Sequence, residues 1–352
     1  MKFGVFDYIE KGDEPIHRTY NKRMDLLRAL EAASFYGYHL SEHHATPLST
    51  TPSPSIFLAA AARETKKIRL GTLLTLLPLY HPMRLLEELC MLDHLSDGRL
   101  DVGVGKGISP FEFDAYSDDI ANAAEAFEHS FNILHQGFTR DRVDYVSPRY
   151  TFKDVPIIIP PLQRPHPPFW YGLRGGYGPE FAARHGMNGV TLGPDDRVEQ
   201  IIADFRAKWE LHAGQRAAFG SPVKSPFIGI MRSMFIADTD AEADRIARVA
   251  HEKWFENLAW LWKVRDAMPP ISIAPNFEQA KASGTLVVGS PATVKRLFKA
   301  QAMRFGHNYL VLLLAFGSLT HQEQMRSLEL FRTEVMPELA DLNEPTMLAA
   351  AK

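Results

Sequence analysis

Short apolar or β-branched runs alternate with longer amphipathic stretches along most of this chain, and that rhythm restricts its fold more than any other feature. Runs that are apolar throughout suit strands buried on both faces, as parallel strands under helices are. The clearest of them is Ile68 to Leu77. Strands are expected near residues 2–6, 38–41, 68–77, 100–104, 169–172, 189–192, 227–237 and 309–314. Helices are expected between them, over 23–36, 56–65, 81–95, 121–137, 179–185, 197–212 and 241–264, then after Ser290-Pro291 and over 321–335. Asp238 and Thr239 read as caps of the long helix, and Ser290-Pro291 as a capping hydroxyl followed by proline at the first helical position. Eight such units argue for an α/β fold of the (β/α)8 TIM-barrel type over an open doubly wound sheet.

Two stretches break the rhythm. The proline-rich residues 140–167 read as a hairpin-like insertion after strand four, and 266–285 as a loop-like insertion after strand seven. Residues 1–340 are expected to form one barrel domain, and 341–352 a tail that need not be ordered. The single cysteine, Cys90, excludes an intramolecular disulfide framework and fits a buried helix position better than a nucleophile. The 39 basic and 42 acidic residues are spread without a basic stripe, which removes the electrostatic case for a nucleic-acid partner. No apolar run approaches the roughly 20 residues of a membrane span, and the first residues lack a signal-peptide layout, so a soluble cytoplasmic protein is expected.

In a barrel of this kind the working residues sit where strands end. The second strand runs into Ser41-Glu42-His43-His44. Alternation along extended chain turns Glu42 and His44 to one side and His43 to the other. A neutral imidazole there can exchange protons near pH 7; a polar rim without chemistry is the competing reading. No third ligand stands at a helical or strand spacing, so no metal is expected. Gly105-Lys106-Gly107 after strand four permits close backbone approach and offers a point charge to an anion, or is simply a tight turn. Arg174-Gly175-Gly176 precedes a helix start, a good cradle for a phosphate. Of Trp254, Phe255, Trp260 and Trp262 on the long helix, most read as core or interface anchors, with one or two free to line a pocket.

Taken in order, several segments resemble the bacterial luciferase-like flavin-dependent monooxygenase family: Lys2 to Phe6, Glu42-His43-His44, Ile68 to Thr72 with Leu77 to Pro82, Leu92 to Arg99, Gln163 to Pro168, Val288 to Pro291 and Val335 to Pro337. The resemblance implies a barrel that takes reduced FMN as co-substrate and lets it react with O2 to a C4a-peroxide, which oxygenates an organic substrate. It also implies a separate NAD(P)H:flavin reductase and a homodimer, for which Leu85, Leu86, Leu89 and Leu92 offer an apolar face. Carried over position by position, His43 resembles the catalytic histidine, with Glu42 and His44 supporting. Leu73-Leu74 matches a non-prolyl cis peptide under the flavin ring, and Lys106, Arg174, Gly175 and Gly176 match phosphate-binding positions. Lys106 replaces the family's usual arginine, a point charge in place of a fork. Gly105 stands where luciferase has its reactive cysteine and is expected to leave space beside the flavin. A deazaflavin-dependent oxidoreductase and a non-catalytic flavin-binding subunit are the other readings of the same resemblance, and the organic substrate stays open.

Overall fold

Strand eight closes on strand one, and that pairing turns a row of parallel strands into a ring. The computed structural model describes residues 1–269 and 275–342. Its barrel strands are, in chain order, Lys2–Asp7, Gly37–Leu40, Arg69–Thr72, Leu100–Gly105, Phe169–Gly172, Asn188–Thr191, Ile228–Ile236 and Tyr309–Leu313. Each pairs in parallel with the next, and Lys2 to Val5 pair with Tyr309 to Leu312 to complete the circuit. This is the expected (β/α)8 barrel. Helices cover the outside, burying leucine and phenylalanine faces such as Leu26, Leu27 and Leu30, or Phe127, Phe131 and Leu134.

The third strand departs from its expected continuous run. It breaks after Thr72, resumes as the short Thr75–Leu76 beside Val104 and Gly105, and then turns into a helical turn at Leu77–Leu79. Between strands four and five stands an antiparallel hairpin, Arg142–Val146 with Thr151–Pro156. The stretch after strand seven holds more structure than its loop-like composition indicates. Asn276 caps a helix at Phe277–Ala282, and Leu286–Gly289 pairs with the outer half of strand seven. Residues 270–274 of that stretch, and 343–352 of the expected tail, lie outside the described residues.

The barrel lumen is filled by side chains. Tyr309 crosses it, its hydroxyl 2.7 Å from Nε2 of His39, against the faces of Trp170 and Phe227. Gly4 and Gly37 make that crossing possible, because a Cβ on either would run into the Tyr309 hydroxyl. At the strand entrances the buried guanidinium of Arg99 donates to the carbonyls of Ala62, Thr65, Ile68 and Ser96, ending the second helix and starting the third strand from one group. Leu85, Leu86, Leu89 and Leu92 are all buried within the chain, so they are not available as a dimer face. An outward-facing helix residue such as Ile56 or Met91 is exposed instead. Cys90 is fully buried and its thiol is pushed up to about 12 by burial. No helix among the described residues is long and apolar enough to cross a membrane.

Burial holds His39 and His307 down to about 3 and His135 down to about 4, against an ordinary value of 6.5. A base kept neutral in the fold takes up its proton only on unfolding, so its contribution is complete above about pH 6.5 and is lost as pH falls toward the folded value. Glu10, pushed up to about 7 by burial, works in the opposite sense, losing stability as pH rises from 4.5 to 7. Glu42 and Asp101 are shifted in the same sense as Glu10, but burial also lowers His166, His185 and His321, so the histidines outweigh the carboxyls. The expected outcome is a thermal midpoint that falls as pH is lowered from 6.5 to 4, and a midpoint flat or rising over that range in a calorimetric series would contradict it.

Candidate active site

Strand two ends at Leu40, and the next four residues turn inward at the carboxyl mouth of the barrel. Glu42 is buried. Its Oε1 lies 2.9 Å from Nε2 of His44, and its Oε2 accepts the backbone N–H of Leu76 at 3.1 Å. One carboxylate therefore ties the end of strand two to the broken third strand. Burial raises the carboxyl's pKa, opposed first by the His44 contact. The other nitrogen of His44, Nδ1, lies 2.8 Å from the Tyr116 hydroxyl, so both sides of that ring are engaged.

His43 meets a different carboxyl. Its Nδ1 lies 2.9 Å from Oε1 of Glu112, the same oxygen that accepts the His44 N–H at 3.1 Å. Its Nε2 has no hydrogen-bond partner among the described residues, and the ring lines the cavity beside Tyr8, 5.7 Å away. Glu112 and Tyr116 escaped the sequence reading. Glu112 lies within a single helical turn, Pro110–Asp114, between strands four and five, and Tyr116 follows it. The local pattern Ser109-Pro-Phe-Glu112 is that of a capping box, which would assign the glutamate to the backbone. No side-chain cap forms at Ser109; Glu112 turns instead to the two histidines.

The cavity has a volume of about 480 Å³ and takes its walls from the ends of strands one to seven and from the long helix after strand seven. Glu42, His43, Leu73, Leu74, Lys106, Arg174 and Gly175 line it, whereas His44 and Gly176 do not. His44 sits behind Glu42. Gly176 adopts φ 82° just before the helix Tyr177–Arg184, a conformation that favours glycine, and so belongs to the turn beneath the wall. Lys106 and Arg174 follow neighbouring strands, four and five, and neither makes an ion pair or hydrogen bond among the described residues. Desolvation and then the like charge of Arg197 lower the pKa of Arg174. An anion at this arc would meet two uncommitted cations and the start of a helix. Across the mouth, the long helix Asp240–Lys263 contributes His251, Trp254 and Leu258, facing Met231 and Leu286. Trp254 thus lines the cavity, while Trp260 is exposed and Trp262 packs on Phe111 at 5.0 Å.

The peptide between Leu73 and Leu74 is cis. Gly105 does not open space beside it. A Cβ there would stand 2.8 Å from Cδ1 of Leu74, whose side chain also lies against Gly103 and Gly172. The room expected from the missing side chain is taken by Leu74.

One mouth cavity of a parallel barrel thus gathers His43, Lys106, Arg174 and a set of apolar side chains. Comparison with known proteins gives the chain a class: residues 1–307 match the model of the luciferase-like monooxygenases, and the chain belongs to that family. It is 32% identical over 336 residues to the uncharacterized protein y4wF of Sinorhizobium fredii, covering 96% of both chains. It is 24% identical over 360 residues to the oxygenase component of the flavin-dependent trigonelline monooxygenase of Acinetobacter baylyi, covering 97% of this chain and 96% of the other. The crystal structure of the monooxygenase RslO1 from Streptomyces bottropensis superimposes with a TM-score of 0.85 at 24% identity, over 97% of this chain and all of that one.

If Gly105 serves to seat Leu74, Gly105→Ala should overpack the cavity floor and cost about 1–3 kcal/mol of stability. The double variant Gly105→Ala, Leu74→Ala should lose that steric component. A urea titration of both variants beside Leu74→Ala checks this; purely additive losses would rule out the seating.

Proposed function

We propose that this chain is the oxygenase component of a two-component system, taking reduced FMN and O2 to oxygenate a small organic substrate. The observation that carries the reading is the pairing of one available imidazole nitrogen, Nε2 of His43, with two uncommitted cations, Lys106 and Arg174, around a single cavity. Bound reduced flavin would supply the two electrons that activate O2. Lys106 and Arg174 would hold its phosphate, with Gly175 giving the backbone close access and Gly176 shaping the turn. Leu73 and Leu74 would form the floor under the ring. His43, through Nε2, would accept or return a proton at the cavity wall, while Glu42 and His44 hold the frame around it. Trp254, Leu258, Met231 and Leu286 would receive the organic substrate on the apolar side. A separate NAD(P)H:flavin reductase supplies the reduced cofactor in this reading, which the name of the trigonelline relative supports in kind. Any homodimer would have to pair through exposed residues, not through the buried leucines of the third helix.

Two measurements test it. Lys106→Ala and Arg174→Ala should each weaken FMN about 10–100-fold in equilibrium binding, the loss of one charge-assisted contact, while riboflavin binding changes little. Equal losses for both ligands would remove the phosphate assignment, and tighter binding of a deazaflavin than of FMN would move the chain to the oxidoreductase reading. His43→Ala should leave FMN affinity within about threefold, well under one hydrogen bond to a charged group. It should also shorten the time reduced FMN survives after rapid mixing with O2. An unchanged survival time would remove His43 from the chemistry, and survival no longer than that of free reduced FMN in the unaltered protein would remove the oxygenase reading.

A further inference from the structure

Two adjacent histidines stand against two buried carboxyl groups, His43 against Glu112 and His44 against Glu42. A backbone N–H can only donate, so Oε1 of Glu112 is an acceptor toward His44 N–H and Oε2 of Glu42 an acceptor toward Leu76 N–H. An ionised carboxylate has no proton to offer, so with both groups ionised the imidazole nitrogens at 2.9 Å from them donate. His43 is then protonated at Nδ1 and His44 at Nε2. The neighbours carry opposite tautomers. The lone pair left on His44, at Nδ1, is taken by the Tyr116 hydroxyl at 2.8 Å, whereas the lone pair left on His43, at Nε2, is the one on the cavity wall.

We propose that Glu112 is a positioning residue of this site: it holds His43 as the Nδ1–H tautomer and so presents the Nε2 lone pair to the reacting centre. The proposal rests on the reading of His43 given above. The Glu112 side chain is only 3% exposed and cannot swing to water. It is carried on a turn fixed by Phe113, which is fully buried and whose ring would be 2.8 Å from a Cβ on Gly107. Orientation of an imidazole through the nitrogen it does not use is a general device, and loss of such a partner costs roughly 10–100-fold in function at metal-bound histidines. The same segment bears Lys106, Gly107 and Ile108 on the cavity wall, so one loop after strand four carries both a cation and the group that aligns the imidazole. Glu42 plays the reverse part: it and Tyr116 together occupy both nitrogens of His44 and keep it out of the chemistry.

The test reads the tautomers directly. Nitrogen-15 spectra of histidine-labelled, flavin-free protein at pH 8 should show His43 with Nδ1 protonated and Nε2 bare, and His44 the reverse. Glu112→Leu should turn His43 into a mixture of tautomers, leave His44 unchanged and shorten survival of bound reduced FMN in O2 about tenfold. Glu112→Gln, whose amide oxygen can still accept from both donors, should restore the tautomer and most of the survival time. In a His43→Ala background Glu112→Leu should change survival no further. His43 found with Nε2 protonated in the unaltered protein overturns the proposal without any variant, which covers the case in which Glu112→Leu fails to fold. An unchanged His43 tautomer in Glu112→Leu, or a further loss of survival in the His43→Ala background, overturns it too. A shifted tautomer with normal survival in both Glu112→Leu and His43→Ala leaves the positioning in place and removes only the role given to His43.

Discussion

Everything at the mouth of this molecule depends on closure of the strand ring. Once Lys2 to Val5 pair with Tyr309 to Leu312, the carboxyl ends of all the barrel strands face one space. Residues more than 200 positions apart, such as Tyr8 and Leu286, then become walls of a single cavity. Closure in turn depends on what fills the lumen. Tyr309 spans it only because strands one and two carry glycine at Gly4 and Gly37, so small residues on one side of the ring provide for a large one on the other. A close-packed interior does not tolerate the extra atom.

The site repeats that logic on a finer scale. Glu42 joins the end of strand two to the far half of strand three, and the single turn after strand four brings Glu112 and Tyr116 against the histidines. Two carboxylates with fixed backbone donors assign opposite roles to two identical side chains. That division needs no difference in sequence between the histidines, only a difference in what accepts their protons. The cations are arranged by the same ring geometry. Strands four and five are neighbours, so Lys106 and Arg174 fall on one arc, while strand seven and the long helix bring Met231, Trp254 and Leu258 together with Ser233 and His251.

Barrel class, strand order and the outer helices were legible in the chain itself, because buried parallel strands and amphipathic helices leave periodic apolar patterns that no other arrangement buries as well. Alternation suggested that Glu42 and His44 share one side; the two do hydrogen-bond, but it is Glu42 and His43 that line the cavity. Local chemistry also marked Lys106 and Arg174. Three things were decided only by the tertiary structure. Glu112 went unmarked, since its destination 68 residues away at His44 has no local signature. Gly105 looked like vacant space, since the Leu74 side chain that fills it comes from another strand. The leucines of the third helix looked like an interface, since sequence shows that a face is apolar but not which neighbour covers it. In each case the deciding contact joins residues distant along the chain, and such contacts are set by how the strands and their loops close together, not by the order of residues within any one of them.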